Sequence, residues 1–296
     1  MRIVFIGAVE FSRHCLELTL DAGGEVVGVL TIPPKANRFN ADAADLAGLA
    51  RTRGVPVHQV AKINDPAAIA LVRDLKPDVL FVFGFSQLIG PELLAIPRLG
   101  SVGVHPALLP EGRGRHPLIW ALVLGLPRSG LSFFWMGEGA DDGPLLWQKA
   151  FDISQDDDAA SLYARIKDLA AEAIPQFLPQ LAGGDPPRIP QDESRATVWR
   201  KRGEADGEIQ WNGPARIACD LIRALTRPYV GAHTFLGDQR ILVWKSRPEA
   251  CVAADPGVVV DVGTEGPLVR AQDGGLRLLN WTGPALKAGD RLGGKR

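Results

Sequence analysis

The segment RIVFIGAVEFSRHCLELTLDAGGEVVGVL, residues 2–30, decides the fold that the sequence predicts. RIVFIG (2–7) and EVVGVL (25–30) are short apolar runs with many β-branched residues, which is typical of buried strands. FSRHCLELTLDAG lies between them, with apolar residues at three- and four-residue spacing and glycine at its end, which predicts a helix. Strand, helix and strand in this order predict a βαβ unit of a parallel sheet.

The same alternation continues to about residue 150. Stretches 42–54 and 65–77 predict helices, because their apolar residues recur at helical spacing. We therefore expect an α/β fold with an open, mostly parallel sheet, in which ligands lie beyond the carboxyl ends of the strands. The further predicted strands are VPVHQV (55–60), DVLFVFG (78–84), SVGVH (101–105) and LSFFWM (131–136).

The pattern changes in the last third of the chain. A helix is predicted at about 158–183, and GGDPPRIPQDES (183–194) is rich in Gly, Pro and polar residues, which predicts a linker. After a predicted helix at 214–225, short strands separated by Gly-Asp turns predict a small β-barrel of OB-like type. We therefore expect two domains, residues 1–190 and 191–296.

The composition disfavours several classes of protein. The three cysteines and five histidines are scattered without metal-ligand spacing, so neither a disulfide framework nor a metal site is expected. No apolar run approaches the ~20 residues of a membrane span. The first residues predict a strand rather than a signal peptide, and we expect a cytoplasmic protein with no membrane partner.

The charge is divided unevenly along the chain. Residues 195–296 carry 16 Lys and Arg against 11 Asp and Glu, a net charge of +5. Residues 1–194 carry 17 against 23, a net charge of −6. Because nucleic-acid affinity depends on neutralised phosphates, the charge of residues 1–194 disfavours a nucleic-acid partner, whereas the basic C-terminal part leaves tRNA open as an alternative.

Two loops concentrate the predicted chemistry. His105 ends the predicted strand SVGVH, and Asp141 and Asp142 lie in a Gly-rich loop just after LSFFWM. In a parallel sheet both strand ends face the same crevice, so we expect His105 to meet an aspartate there. A histidine beside a carboxylate is a general acid–base pair. A partly buried structural histidine and a solvated acidic turn remain the alternatives that these residues leave open.

Several motifs together resemble one family. HPALLPEGRG (105–114) resembles the His-Pro-x-Leu-Leu-Pro-x-x-Arg-Gly signature of the 10-formyltetrahydrofolate-dependent formyltransferases, and ADDGPLL (140–146) resembles their Asp-x-Gly loop. DGEIQW (206–211) and the helix after it are similar to the C-terminal domain that methionyl-tRNA and amino-sugar formyltransferases share. The resemblance covers nearly the whole chain in order. It implies a Rossmann-like formyltransferase domain, a smaller C-terminal OB-like β-barrel and a reaction without metal.

The resemblance also implies roles for particular residues. His105 and Asp141 correspond to the catalytic pair, and 10-formyltetrahydrofolate is the implied cosubstrate. FGFSQLIG (83–90) matches the family's segment whose backbone holds the pterin ring. The residues implied to bind the cofactor are Phe85, Gln87, Leu88, Ile89 and Asp141, and those implied to bind the substrate are Glu10, Arg113, Gly114 and His116.

One position departs from the family pattern. The family carries an asparagine two residues before the histidine, and here that position is Gly103. The hydrolase domain of formyltetrahydrofolate dehydrogenase also lacks this asparagine, so a formyltetrahydrofolate hydrolase is one alternative. A non-catalytic folate- or nucleotide-binding relative is another, although the presence of both His105 and Asp141 disfavours it.

The resemblance favours a small-molecule acceptor. Residues 36–66 and HPLIWALVLG (116–125) resemble amino-sugar formyltransferases, so the predicted partner is a nucleotide-linked amino sugar. Methionyl-tRNA formyltransferases carry a more basic loop after the second strand, where this chain has only Lys35 and Arg38. A tRNA acceptor is therefore disfavoured, and a homodimer is left open.

Overall fold

The structure of the chain is a computed structural model that describes residues 1–34, 42–137 and 139–294. Lys35 and Arg38 lie outside the described residues. Within the described part of the chain, every helix is too short or too polar to cross a membrane. The chain divides into two compact units. One comprises Met1–Pro117, Ser129–Phe151 and Ala164–Trp199, and the other comprises Leu118–Arg128, Asp152–Tyr163 and Arg200–Arg296.

The N-terminal unit is built on a seven-stranded sheet. Its strands are β1 (Arg2–Ile6), β2 (Glu25–Thr31), β3 (Val57–Gln59), β4 (Val79–Val82), β5 (Gly100–His105), β7 (Arg128–Trp135) and β8 (Leu145–Asp152). Their order in the sheet is β3–β2–β1–β4–β5–β7–β8. The first five run parallel, which confirms the predicted α/β class with a parallel sheet, whereas β7 runs antiparallel to β5.

The helices follow the predicted segments and have identifiable ends. The Asp45 carboxylate accepts a hydrogen bond of 2.8 Å from the Gly48 amide and so caps one helix. Another begins at Pro66, where the missing N–H costs nothing. The helices are α1 (Glu10–Asp21), α2 (Leu46–Thr52), α3 (Pro66–Leu75), α4 (Pro91–Leu94), α5 (Pro117–Val123), α6 (Ala159–Gly183) and α7 (Ala215–Leu225).

Apolar layers cover both faces of the parallel sheet. The strands β1 and β4 alternate their side chains between the two faces, and α3 packs one face through Ile69 and Val72. On the other face, ring centroids lie 5.0–6.0 Å apart in an aromatic cluster that includes one residue of α6. Each such buried side chain contributes about 1.5–3 kcal/mol. The cluster consists of Phe5, Phe81, Phe83, Phe133 and Phe177.

The predicted linker at 183–194 is bonded to the N-terminal unit. Ile189 forms an antiparallel bridge with Leu145, and a short 3₁₀ helix follows at Glu193–Arg195. Next, β9 (Val198–Trp199) pairs in parallel with β6 (Arg113–Gly114). We refer to residues 187–199 as the strap. Its polar and proline-rich composition reflects irregular backbone that lies against the rest of the unit, rather than a free connection.

The C-terminal unit is an antiparallel half-barrel. Its strands are β10 (Ala232–Leu236), β11 (Gln239–Glu249), β12 (Val259–Gly263), β13 (Gly266–Arg270), β14 (Gly275–Thr282) and β15 (Leu292–Gly293). They form one sheet in the order β12–β13–β14–β11–β10–β15. An antiparallel bridge between Val258 and Arg291 connects the chain at the two edges. The helix α7 buries seven of its residues within this unit.

Candidate active site

His105 is the last residue of β5, and its environment fixes its tautomer. The residue is 4% exposed, and Nε2 lies 2.7 Å from the carbonyl oxygen of Gly112. Because a carbonyl only accepts hydrogen bonds, Nε2 carries the proton in this contact. Nδ1 is therefore the ring nitrogen left to gain or lose a proton.

Asp141 faces that second nitrogen. Its Oδ2 atom lies 3.5 Å from His105 Nδ1 and accepts a hydrogen bond of 2.9 Å from the Gly114 amide. The Asp141 side chain is 21% exposed, whereas that of His105 is 6% exposed. The pair thus joins a buried imidazole to a carboxylate that reaches solvent, as a proton relay requires.

The expectation that His105 and the aspartate meet at the ends of parallel strands is wrong. β7 runs antiparallel to β5, with His105 opposite Ser132 and Val102 opposite Trp135. The last residue of β7 therefore lies opposite Val102, three residues before His105, and not beside His105. Asp141 reaches the imidazole because the loop after β7 turns back toward that end of the sheet, so the predicted meeting occurs for a different geometrical reason.

The loop after β5 has backbone conformations that favour glycine. Gly112 and Gly114 have φ angles of 73° and 107°. An added Cβ would overlap the Trp199 ring at Gly112 and the Trp199 carbonyl at Gly114. His116 and Asp141 also lie in the left-handed region, with φ of 59° and 57°, which is uncommon outside glycine and occurs often at functional sites.

Arg113 is buried and paired inside the N-terminal unit. Its Nη2 donates to Glu193 Oε1 at 2.6 Å and to Gln191 Oε1 at 2.8 Å. The hydrogen bond that Arg113 donates to Glu193 raises the pKa of Arg113, and the same bond lowers the pKa of Glu193. The guanidinium thus holds the strap against the loop after β5, and its neighbour Gly114 holds Asp141.

The strap supplies contacts that the sequence analysis missed. Gln191 Nε2 donates to the carbonyl oxygens of Asp141 at 2.9 Å and of Gly143 at 2.6 Å. Thr197 Oγ1 accepts from the Gly112 amide at 2.8 Å, and its carbonyl accepts from the Arg113 amide at 2.9 Å. These contacts join segments far apart in the chain, and no motif in the strap signals them.

The segment implied to hold the pterin follows β4. Gln87 is bonded within the unit, because its side chain accepts from Ile63 N at 2.9 Å and donates to Ala61 O at 2.8 Å. Leu88 is 78% exposed, Ile89 is buried in the core and Phe85 packs against that core. This segment reaches the loop after β5, since Arg115 Nη1 donates to the Ser86 carbonyl at 3.2 Å.

Glu10 and Gly103 are two further positions that the sequence singles out. Glu10 is an exposed residue at the start of α1, the helix that follows β1. In the sheet, β4 lies between β1 and β5, the strand that ends at His105. At Gly103, an added Cβ would lie 2.8 Å from Phe134 Cζ and 3.1 Å from Met136 Cγ. The space that an asparagine side chain would need at this position is therefore filled by Phe134 and Met136.

The described residues contain no group of three or more His, Cys, Asp or Glu that would hold a metal ion. Of the predicted site residues, the structure brings together His105, Asp141, Arg113 and Gly114, with His116 next in the same loop. It places Phe85, Gln87, Leu88 and Ile89 in the loop after β4 and Glu10 after β1.

Comparison with known proteins identifies the family of both parts of the chain. The family described as formyl transferase matches residues 1–178, and the family described as formyl transferase, C-terminal domain, matches residues 202–290. Among solved structures, the chain is similar to a variant of HypX from Aquifex aeolicus at 18% identity and a TM-score of 0.69. That match covers 95% of this chain and 43% of HypX, so the chain spans less than half the length of that protein.

Two further structures match along nearly their whole length. WlaRD, a sugar 3N-formyl transferase solved in the presence of dTDP and 5-N-formyl-THF, is 14% identical with a TM-score of 0.67, and the match covers 97% of this chain and 98% of WlaRD. The N-formyltransferase from Helicobacter canadensis, in complex with folinic acid and dTDP-3-aminofucose, is 15% identical with a TM-score of 0.64, covering 93% and 97%. At these identities the likeness shows a shared fold.

Proposed function

Because the chain belongs to the formyl transferase family, we propose that it transfers the formyl group of 10-formyltetrahydrofolate to a primary amine. The observation that carries this proposal is the pair of His105 and Asp141, in which a buried imidazole of fixed tautomer faces a carboxylate at 3.5 Å. WlaRD in the presence of 5-N-formyl-THF and the Helicobacter canadensis enzyme in complex with folinic acid support the same cosubstrate.

The loop after β4 is the proposed folate site. Phe85, Gln87, Leu88 and Ile89 occupy it, and the Leu88 side chain is an apolar surface 78% exposed and open to a ring system. The bonds of Gln87 to Ile63 and Ala61 hold the backbone of this loop in place. Asp141 would complete the site from the opposite loop, close to the formyl group.

The proposed reaction uses both members of the pair. The folate supplies the formyl carbon and leaves as the free N10 amine once the acceptor nitrogen has added to that carbon. Negative charge then develops on the formyl oxygen, and a protonated His105 donates a hydrogen bond to it from Nδ1. One such preorganised donor stabilises the transition state by about 3–4 kcal/mol. Asp141 receives the proton lost by the acceptor nitrogen, directly or through water, and passes it on to N10 as the bond from N10 to the formyl carbon breaks.

For the acceptor, we propose the amino group of a nucleotide-linked amino sugar. WlaRD with dTDP and the Helicobacter canadensis enzyme with dTDP-3-aminofucose support this substrate class. Gly114 and His116 lie in the loop beside the pair, and Glu10 lies at the same edge of the sheet beyond β4. Arg113 would act from its buried position by holding that loop, since its guanidinium is bonded to Glu193 and Gln191.

Gly103 favours a second candidate function, hydrolysis of 10-formyltetrahydrofolate. Phe134 and Met136 fill the space where the family's asparagine would donate to the oxyanion. The hydrolase that resembles this chain also lacks the asparagine. In this candidate function, water takes the place of the amine, and the same pair of His105 and Asp141 activates it.

We also infer that the C-terminal half-barrel is the predicted OB-like barrel. Its antiparallel strand order and the bridge from Val258 to Arg291 between its edges support this inference. A crystal structure of the protein would test it, because a coiled sheet whose edge strands β12 and β15 approach each other is expected, and a flat sheet with distant edges would contradict it.

One assay distinguishes the proposed functions. Purified protein is incubated with 10-formyltetrahydrofolate and a panel of nucleotide-linked amino sugars, methionyl-tRNA or no acceptor, and tetrahydrofolate release is followed. We expect release that depends on one amino sugar. Equal release without acceptor would establish the hydrolase, and release that depends on methionyl-tRNA would establish the alternative acceptor. Absence of release with every acceptor would contradict both enzymatic functions.

A further inference from the structure

We infer that Gln191 is a positioning residue that sets the distance between His105 and Asp141. It lies in the strap and contacts neither the imidazole nor the carboxylate. Its amide nitrogen donates to the carbonyl oxygens of Asp141 and Gly143, at 2.9 and 2.6 Å. Its amide oxygen accepts from Arg113, at 2.8 Å from Nη2 and 3.2 Å from Nε.

These four bonds connect the two loops that form the pair. Arg113 lies between Gly112, whose carbonyl holds His105 Nε2, and Gly114, whose amide holds Asp141 Oδ2. On the other side, Asp141 and Gly143 belong to the loop after β7. The Gln191 side chain therefore binds the backbone of the Asp141 loop at one end. At its other end it binds the side chain of Arg113, which lies between the two glycines that orient the pair.

The Asp141 loop depends on such an anchor. Asp141 lies outside the strands and has a φ of 57°, a backbone conformation that few residues other than glycine adopt. The 3.5 Å separation from His105 is at the long end of ion-pair distances, so a small displacement of the loop separates the two groups. Misplacement of a catalytic group by about 1 Å can lower a rate about 100-fold.

The chemistry of the two ends requires an amide. Two carbonyl oxygens need donors, and a guanidinium needs an acceptor, so the residue between them must both donate and accept. A glutamate would keep the contact with Arg113 and would place a carboxylate oxygen against the carbonyl oxygens of Asp141 and Gly143. The variant Gln191→Glu therefore separates the Arg113 end from the Asp141 end.

The inference rests on the proposed formyl transfer, and the experiment compares kcat and KM of wild type, Gln191→Glu and Gln191→Ala. We expect both variants to lose about 10- to 100-fold in kcat, with KM for folate within about threefold. If Gln191→Glu keeps the wild-type kcat, Gln191 acts through Arg113 alone and the inference is wrong. If wild type itself lacks activity, the proposed function fails, and the His105 Nδ1 to Asp141 Oδ2 distance in crystal structures of the variants decides the inference.

A matched control separates positioning from loss of stability. Gln148 also donates two hydrogen bonds in the same unit, to Leu109 O at 2.9 Å and Ser132 Oγ at 2.8 Å, but contacts neither Asp141 nor Arg113. Gln148→Ala is expected to lower Tm as Gln191→Ala does and to keep kcat within about twofold of wild type. An equal loss of kcat in both variants would show a merely structural role.

Two further measurements act through Asp141 directly. In an Asp141→Asn background, Gln191→Glu is expected to lower kcat by less than about twofold more, because the effects of residues that act through one group do not add. A full additional loss would overturn the inference. In crystal structures of the variants, the His105 Nδ1 to Asp141 Oδ2 distance is expected to exceed the 3.5 Å of wild type, and an unchanged distance would contradict it, whatever the activity.

Discussion

Two histidines of this protein, His105 and His233, are equally buried, and their neighbours make them chemically different. Each is 4% exposed. His105 donates to the Gly112 carbonyl and faces the Asp141 carboxylate, so its second nitrogen has a partner for a positive charge. His233 packs edge-on against Phe235 and beside Gly207, and its burial lowers its pKa. Burial alone therefore does not distinguish the two histidines, whereas the carboxylate that faces His105 at 3.5 Å supports its proposed catalytic role.

The largest effect is expected from removing the imidazole of His105. His105→Gln keeps a polar side chain of similar length and removes the imidazolium that is proposed to stabilise the negative charge on the formyl oxygen. We expect kcat for formyl transfer to fall about 1,000-fold or more. Steady-state kinetics measures this loss, and His233→Gln is the control, expected to stay within about threefold of wild type. Comparable losses in the two variants would remove the distinction between the histidines.

The next effect concerns the carboxylate that distinguishes the two environments. Asp141→Asn keeps an oxygen to accept from the Gly114 amide and removes the negative charge that faces His105. We expect kcat to fall about 100-fold, with a smaller change in KM. Asp142→Asn is the neighbouring control in the same loop. If it proves more damaging than Asp141→Asn, the assignment of the catalytic aspartate is wrong.

A smaller effect is expected from crowding the loop that orients both groups. In Gly114→Ala the new Cβ would overlap the Trp199 carbonyl oxygen. The alanine would also have to keep the backbone φ of 107°, which L residues rarely adopt. We expect a loss of about 1–3 kcal/mol in the free energy of unfolding and about tenfold in kcat. Gly54→Ala carries left-handed strain at a φ of 69° with open space around the Cβ. It should lose stability through strain and retain activity, and a similar kcat loss there would refute the positional explanation.

The smallest effect concerns His233 and the pH dependence of stability. Because burial lowers the pKa of His233 in the folded state, the unfolded chain binds more protons below the ordinary histidine pKa of 6.5. Stability is therefore complete above that pH and falls as the pH is lowered through it. His233→Gln is expected to flatten this part of the curve in urea unfolding from pH 8 to pH 5. His14, whose pKa is also lowered mainly by burial, continues to contribute to the pH dependence in the variant, so the curve is expected to flatten only in part. A curve unchanged by His233→Gln would contradict the prediction.

The fold was largely accessible from the sequence because local patterns carry it. The alternation of apolar runs and helical stretches from Arg2 to His105 predicts five parallel strands, and these form β1 to β5. Apolar periodicity does not encode the direction of a strand, so the antiparallel run of β7 was not predicted. The places of His105 and of Asp141 and Asp142 after strands predicted a histidine–aspartate pair, and the family resemblance chose Asp141, although the predicted geometry of the meeting was wrong.

The strap was not accessible in the same way. Gln191 lies among Pro, Asp and Ser residues whose composition is that of a linker, and its four bonds go to residues 48 to 78 positions away. Nothing in local spacing reports such contacts. The same holds at Gly103, where Phe134 of the neighbouring strand determines that a larger side chain has no room.

The most direct test of the central claim follows the formyl carbon itself. 10-Formyltetrahydrofolate carrying ¹³C in the formyl group is incubated with a nucleotide-linked amino sugar and either wild type or His105→Gln, and the products are resolved by mass spectrometry. We expect labelled formyl on the sugar nitrogen with wild type and almost none with His105→Gln. Label recovered only as formate, or equal labelling of the sugar by both proteins, would contradict this expectation.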